Sequence, residues 1–303
     1  MLLRFLCACA CMSMSYIMIS YWSIFIIIVS IVLIFSLLIL LYRPVPVKYL
    51  IKNVYPNAEY TPNKNAIRKE NYTLYTRSAA RSLPNDNLIL IFIGGILLQS
   101  DIVKTYGICN YLDNSVGDKY DILVFNYPVR FKYTMQQTLI AINETLKEFI
   151  HYKRVHVIGL SIGCLLAGAF YNKERNDVIA KQMGIPRIGM QFTTFTGFCG
   201  LYETTFSSNL LTQLFKFYIS RGTPAANNYT CYSLVDIPKL IVSSESDFLI
   251  SQTIKYCQRI PVDKVKVYNS KTLPHCFQQY LNLYEARESL DLFITFILDH
   301  DSK

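Results

Sequence analysis

The stretch that decides the fold of this chain is Val155-His-Val-Ile-Gly-Leu-Ser-Ile-Gly163, followed by Cys164-Leu-Leu-Ala-Gly-Ala-Phe170. The apolar residues 155–158 predict a buried strand, and the small residues after position 163 predict a helix. Between them, residues 159–163 have the pattern G-x-S-x-G. Its two glycines allow a strand and a helix to pass closely around a strained serine. Ser161 is therefore the candidate nucleophile.

Strands and helices alternate on both sides of this stretch. Continuous apolar runs predict central buried strands at 87–93 and 120–125. Further strands are predicted at 188–194, 238–243 and 265–268. Apolar positions at helical spacing predict a helix within 133–150 and a closing helix over about 278–298. The alternation predicts an α/β fold, with a mostly parallel sheet covered by helices on both faces. Apolar residues within 201–233 predict a helix inserted over that sheet.

A serine nucleophile needs a base that takes its proton and an acid that orients the base. On this architecture the three residues occur along the chain in the order serine, acid, histidine. The chain contains four histidines. His275 is the candidate base, because it lies downstream of Ser161 in a loop that closely follows a predicted strand. The others lie at a helix end, within the strand before the serine and in the C-terminal tail: His151, His156 and His300.

The acid is expected just after the strand at 238–243, where Ser243-Ser-Glu-Ser-Asp247 offers two carboxylates. Asp247 precedes an apolar Phe-Leu-Ile and is the better placed, with Glu245 as the alternative. In the expected mechanism His275 removes the proton of Ser161, Asp247 holds the imidazole in the right tautomer, and water cleaves an acyl-enzyme. This chemistry requires no metal and no organic cofactor.

With these residues, the chain resembles the α/β-hydrolase family over about residues 85–300. The resemblance rests on residues 159–163, Asp247 and His275, in the family's order. It implies an eight-stranded, mostly parallel sheet, a cap inserted after the sixth strand at about 200–235, and acyl-enzyme hydrolysis. The chain looks most like membrane-anchored single-domain hydrolases and lipases. An N-terminal anchor and the apolar insert at 206–218 favour a lipid-like or small ester as substrate, with an ordinary cap packed on the core as the alternative reading of the insert. A catalytically silent membrane scaffold, a thioesterase and an acyltransferase remain as alternatives.

Many members of that family carry His-Gly-Gly or His-Gly-x where a strand ends in an oxyanion loop. This chain has Ile93-Gly94-Gly95-Ile96 at the corresponding place. The missing histidine does not remove the donors, since backbone N–H groups stabilise the oxyanion. We assign them to Gly95 and Ile162, with Ile96 as the alternative to Gly95.

The N-terminal segment predicts a membrane anchor. No charged residue occurs between Phe5 and Tyr42, and residues 23–41 are long enough to cross a bilayer as a helix. This apolar run exceeds the roughly 7–15 residues of a cleaved signal peptide. We therefore expect residues 1–42 to hold one transmembrane helix at about 22–42, residues 43–84 to form a polar tether with the first elements, and residues 85–300 to form the hydrolase domain.

Charge bears on partners and on orientation. The net charge of +9 suits a domain held against an anionic membrane surface, whereas the scattered Lys and Arg and the lack of a recognised motif argue against nucleic acid. Three cations follow the span closely and one precedes it, which predicts a domain facing the cytosol: Arg43, Lys48, Lys52 and Arg4. Sequons at Asn71, Asn143 and Asn228 argue for the opposite side.

The cysteines indicate neither a zinc site nor a disulfide scaffold, because those of the domain are widely spaced without C-x-x-C pairs: Cys109, Cys164, Cys199, Cys231, Cys257 and Cys276. Three more alternate near the N-terminus, Cys7, Cys9 and Cys11. They are interpreted as small apolar residues, with acylation beside the membrane as the alternative.

Overall fold

The structure is a computed structural model that describes residues 29–34, 60–64, 66–77, 85–95, 102–128, 133–203 and 229–302. The chain divides into two units, Met1–Asn57 and Ala58–Lys303. In the first unit, residues 29–34 are helical with exposed side chains. No helix in the described ranges is both long and apolar enough to cross a bilayer. The expected span at about 22–42 falls mostly outside those ranges, as do Cys7, Cys9 and Cys11.

The second unit is built around an eight-stranded sheet in the order β1-β2-β4-β3-β5-β6-β7-β8. The strands β1 to β8 are, in chain order, Ala66–Arg68, Tyr72–Tyr75, Asn87–Phe92, Asp121–Phe125, Arg154–Leu160, Thr194–Phe198, Lys239–Ser244 and Lys264–Tyr268. Strand β2 pairs antiparallel with β1 and β4, and all other pairs are parallel. The expected eight-stranded, mostly parallel sheet is confirmed.

Helices connect the parallel strands and close the domain. The helices α1 to α6 are Tyr106–Val116, Met135–Leu146, Ile162–Arg175, Asp177–Met183, Ile250–Arg259 and Tyr284–Asp301. Short 3-10 helices occupy Ile102–Thr105, Lys147–Phe149, Leu234–Asp236 and Phe277–Gln279. Helix α2 begins with a capping box, in which the Gln137 amide donates to Thr134 Oγ1 at 3.2 Å and the Thr134 amide donates to Gln137 Oε1 at 2.8 Å.

The central strands are buried on both faces because helices cover the sheet from both sides. All of β4 is buried, as is β3 from its second residue and β5 from its second residue. Asn143 is buried on α2. A glycan could not be attached to that sequon in the folded domain, whereas Asn71 is exposed at the turn between β1 and β2.

The strand expected at 188–194 was wrong, since β6 begins at Thr194. The physical reason is a carboxylate on α3. The amides of Ile188 and Gly189 donate to Glu174 at 3.1 and 2.9 Å. These two backbone amides therefore donate to a side chain and not to a neighbouring strand. Strand β6 accordingly begins after the predicted start at residue 188.

The expected cap at about 200–235 lies partly outside the described residues, because 204–228 are not among them. Its two ends come together, since Glu203 and Thr230 form an antiparallel bridge. The inserted segment therefore leaves and rejoins the domain at one place, just beyond the end of β6.

Candidate active site

Ser161 lies in a one-residue turn between the end of β5 and the start of α3. Its backbone is strained, with φ 54° and ψ −120°, a conformation that non-glycine residues rarely adopt. The turn is held against the end of β6. The Ser161 amide donates to Phe198 O at 3.0 Å, and the Leu201 amide donates to Ser161 O at 3.0 Å. The surrounding structure thus keeps the serine in this conformation.

Close packing behind the serine explains the second glycine of the pentapeptide. A Cβ on Gly163 would stand 2.1 Å from Phe92 O, at the end of β3. The first turn of α3 therefore touches the neighbouring strand's backbone. Only a residue without a side chain permits that contact, as the G-x-S-x-G pattern predicted.

Ser161, His275 and Asp247 are joined by hydrogen bonds. The distance from His275 Nε2 to Ser161 Oγ is 2.8 Å, and that from His275 Nδ1 to Asp247 Oδ2 is 2.9 Å. The Leu249 amide donates to Asp247 Oδ1 at 2.7 Å, which fixes the carboxylate. The Asp247 side chain is wholly buried, and that of His275 is 22% exposed. The structure thus places together the three residues expected to act together, while Glu245 is exposed.

The other histidines lie elsewhere. His156 is buried near the start of β5, with Nδ1 3.0 Å from Thr194 Oγ1 and Nε2 3.1 Å from Asp301 Oδ1. Burial lowers the pKa of His156 to about 4, against the opposing effect of Asp301. His151 is exposed in a turn. His300 was expected in the tail but lies in the last turn of α6, where it bonds to its own helix.

Burial and charge act in opposite directions on the catalytic pair. Burial lowers the pKa of His275, but Cys276 and Asp247 raise it, and the resulting pKa is about 10. Burial raises the pKa of Asp247, yet hydrogen bonds from His275, Cys199 and the Leu249 amide hold it below its usual range. Asp247 is therefore a carboxylate, and it stabilises the protonated imidazole.

Two buried thiols flank this pair, and sequence reasoning did not identify either. Cys199 follows β6 and Cys276 follows His275, with φ of 50° and 55°. Cys199 Sγ donates to Gln278 Oε1 at 3.9 Å and lies within 4.8 Å of the Asp247 and His275 donor atoms. Hydrogen bonding to the Cys199 thiol lowers the pKa of Cys276, and burial raises it. The nearby His275 lowers this pKa further, to about 6. The one signal in the sequence was that Cys276 directly follows the candidate base.

The donor atoms of Cys199, Asp247 and His275 all lie within 4.8 Å of one another. Sulfur, carboxylate oxygen and imidazole nitrogen are donors that zinc binds. Here the Asp247 and His275 donors already bond to each other, so this arrangement orients an imidazole for proton transfer.

The candidate oxyanion donors lie on either side of Ser161. Ile162 is the first residue of α3, so its N–H is at the positive end of that helix. The loop after β3 passes beside the serine, since a Cβ on Gly94 would stand 3.1 Å from Ser161 Cβ. Gly95 has φ 126°, which favours glycine, and the Tyr127 hydroxyl donates to Ile93 O just before it. The alternative donor Ile96 lies outside the described residues.

Several solved structures of similar architecture are esterases. An inhibited esterase B from Lactobacillus rhamnosis has a TM-score of 0.70 at 16% identity, covering 88% of this chain and 96% of its own. An esterase/lipase from an uncultured bacterium has a TM-score of 0.60 at 14% identity, covering 88% and 97%. A carboxylesterase from Lactobacillus plantarum has a TM-score of 0.58 at 13% identity, covering 76% and 92%. No protein-family profile and no curated protein sequence matches the chain. At these identities the likeness shows the fold.

Proposed function

We propose that this protein, which has the α/β-hydrolase fold, is a serine hydrolase that cleaves carboxylic esters through an acyl-enzyme on Ser161. The observation that carries the proposal is the continuous hydrogen-bonded series from Ser161 through His275 to Asp247, at a strained strand–helix turn. A serine, a histidine and a carboxylate at these distances form the arrangement that activates a hydroxyl as a nucleophile.

In the first half-reaction, His275 Nε2 takes the proton of Ser161 as Oγ attacks the ester carbonyl carbon. Asp247 holds the proton on Nδ1, which leaves Nε2 free to accept, and it stabilises the imidazolium that forms. The N–H groups of Ile162 and Gly95 stabilise the oxyanion. When the tetrahedral intermediate collapses, His275 returns the proton to the departing alkoxide.

In the second half-reaction, water takes the place of the alcohol. His275 removes one proton from the water, whose oxygen attacks the acyl carbon. Ser161 Oγ then leaves and recovers the proton, and the carboxylic acid is released. The same side chains thus serve both halves of the cycle.

For the substrate, we favour lipid-like or small esters that reach the domain from a membrane. The apolar run at 23–41 and the net charge of +9 support this substrate class and a single-pass anchor. The cations that follow the run, Arg43, Lys48 and Lys52, support a domain that faces the cytosol. Among the structural neighbours, one esterase B structure is inhibited by a tributyrin phosphonate. Short-chain glycerol esters are therefore suitable first substrates to assay.

Labelling with a fluorophosphonate probe tests the proposal directly. The wild type should become covalently labelled, and Ser161→Ala should not. Ser115→Ala is a matched control, because Ser115 is exposed on α1 and should not affect labelling. If the wild type remains unlabelled while a control hydrolase reacts, the proposal is wrong and a silent scaffold is the better interpretation.

A further inference from the structure

Phe248, the residue after Asp247, has an exposed phenyl ring beside the candidate base. Its side chain is 59% exposed. The ring centroid lies 4.4 Å from that of His275, with 46° between the planes. An apolar ring so exposed gains little from core burial at its position. Its distinctive property is that it packs against the imidazole ring of His275.

The proton transfer that His275 performs determines which half of an ester, acyl or alcohol, contacts the Phe248 ring. The acyl carbon is bonded to Ser161 Oγ from the first tetrahedral intermediate until water or an alcohol cleaves the acyl-enzyme. The alkoxide must lie within hydrogen-bond distance of His275 Nε2 when the ester bond breaks, because that nitrogen supplies its proton. A ring in contact with His275 is therefore beside the leaving alcohol, while the acyl chain extends from the carbon attached to Ser161.

We propose that Phe248 forms an apolar wall of the leaving-group subsite, and so determines selectivity for the alcohol half of the ester. This inference rests on the proposed hydrolase function. It also makes Phe248 a contact for alcohols that act as acyl acceptors, because deacylation by an alcohol is the reverse of acylation. In that step the alcohol oxygen bonds to the acyl carbon, His275 takes the hydroxyl proton, and Ser161 Oγ leaves and recovers it.

The first test compares two ester series for the wild type, Phe248→Ala and Phe248→Leu. One series fixes the acetyl group and lengthens the alcohol from methyl to hexyl, and the other fixes methanol and lengthens the acyl chain. In the wild type, kcat/KM should rise by up to about fourfold for each methylene of the alcohol held against the ring. Phe248→Ala should flatten that rise and leave the acyl-chain dependence unchanged, with Phe248→Leu between the two. Tyr284→Ala, which removes a 68% exposed ring on α6, is the matched control.

The second test measures the acyl-enzyme alone. During hydrolysis of p-nitrophenyl acetate with methanol and butanol added, the ratio of butyl to methyl acetate reports acceptor selectivity. Phe248→Ala should lower that ratio by the same factor as it lowers kcat/KM for butyl acetate relative to methyl acetate, since both share one transition state.

A ring that only holds His275 in position would give a different result. Phe248→Ala would then lower kcat/KM for every ester by one factor and leave the acceptor ratio unchanged, which would overturn the inference. Fluorophosphonate labelling separates this failure from that of the proposed function. If Ser161 is labelled in the wild type and in Phe248→Ala but alcohol selectivity is unaltered, only the role of Phe248 is wrong.

Discussion

Replacing Cys276 with alanine should make the enzyme more active at neutral pH. Cys276 and Asp247 raise the pKa of His275 to about 10 against the effect of burial. The reaction begins with the neutral imidazole, so activity should increase as pH rises through that pKa. Removing the sulfur leaves Asp247 as the main group that raises the pKa, and the acid limb of the pH profile should move to lower pH.

The size of the effect follows from the fraction of neutral imidazole. Because its pKa is raised above neutral pH, most of the His275 rings are protonated at pH 7. Each unit by which the pKa falls makes about ten times more rings neutral at that pH. A rise in kcat/KM at pH 7 on the order of tenfold is therefore expected, with little change above pH 10.

The assay measures kcat/KM for an alkyl acetate between pH 6 and 11. The reaction is monitored by continuous titration of the acid that hydrolysis releases. Cys276→Ser is the matched control, because a hydroxyl can hydrogen-bond to His275 but does not ionise in this range. Both variants retain a non-glycine residue at φ 55°, so the backbone strain at this position is unchanged. If the thiolate charge raises the pKa, the two variants should shift the acid limb equally. If hydrogen bonding raises it, Cys276→Ser should resemble the wild type.

Two results would refute this reasoning. One is a wild-type acid limb at or below the ordinary histidine pKa of 6.5. The other is an acid limb that Cys276→Ala leaves in place while the protein remains folded. Either outcome would show that Cys276 is a neutral thiol at the pH of the assay and that Asp247 alone sets the basicity of His275.

Further predictions concern the acid, the turn and the core. Asp247→Asn should lower kcat on the order of a thousandfold or more at pH 7, because an amide does not hold His275 in the accepting tautomer; steady-state hydrolysis of p-nitrophenyl acetate measures this. Gly163→Ala should destabilise the fold by more than about 1–3 kcal/mol in urea unfolding, since its Cβ meets Phe92 O at 2.1 Å. The pKa of buried His156 is about 4, below the 6.5 of an unfolded chain, so the unfolded state binds the proton first and stability falls between pH 6.5 and 4. Between pH 7 and pH 5, the free energy of unfolding should fall by about 2 kcal/mol less in His156→Gln than in the wild type. Urea unfolding curves recorded at pH 7 and at pH 5 measure this difference.

The sequence predicts the strands best where the sheet is most buried. Largely apolar runs placed β3, β4 and β7 within about one residue of their positions, because a parallel strand covered on both faces requires apolar side chains. Strand β8 was placed equally well, although only its last residue, Tyr268, is buried. Helix α5 carries no comparable signal, since its buried residues are Gln252, Thr253 and Tyr256. Such a helix is stabilised by tertiary packing that a local pattern does not show.

The position of strand ends explains why Ser161, Asp247 and His275 were predicted and Cys199 was not. The carboxyl ends of neighbouring parallel strands meet at one edge of the sheet, so Ser161 after β5, Asp247 after β7 and His275 after β8 were expected to be close. Strand β6 lies between β5 and β7, and its end should contribute to the same edge. The strand predicted at 188–194 ends five residues before Cys199, so its predicted end did not place Cys199 at this edge. The true end at Phe198 places Cys199 within 4.8 Å of the Asp247 carboxylate, so an error in the position of one strand end concealed a residue of the site. For a parallel sheet, locating the strand ends is therefore as informative about function as finding the motif.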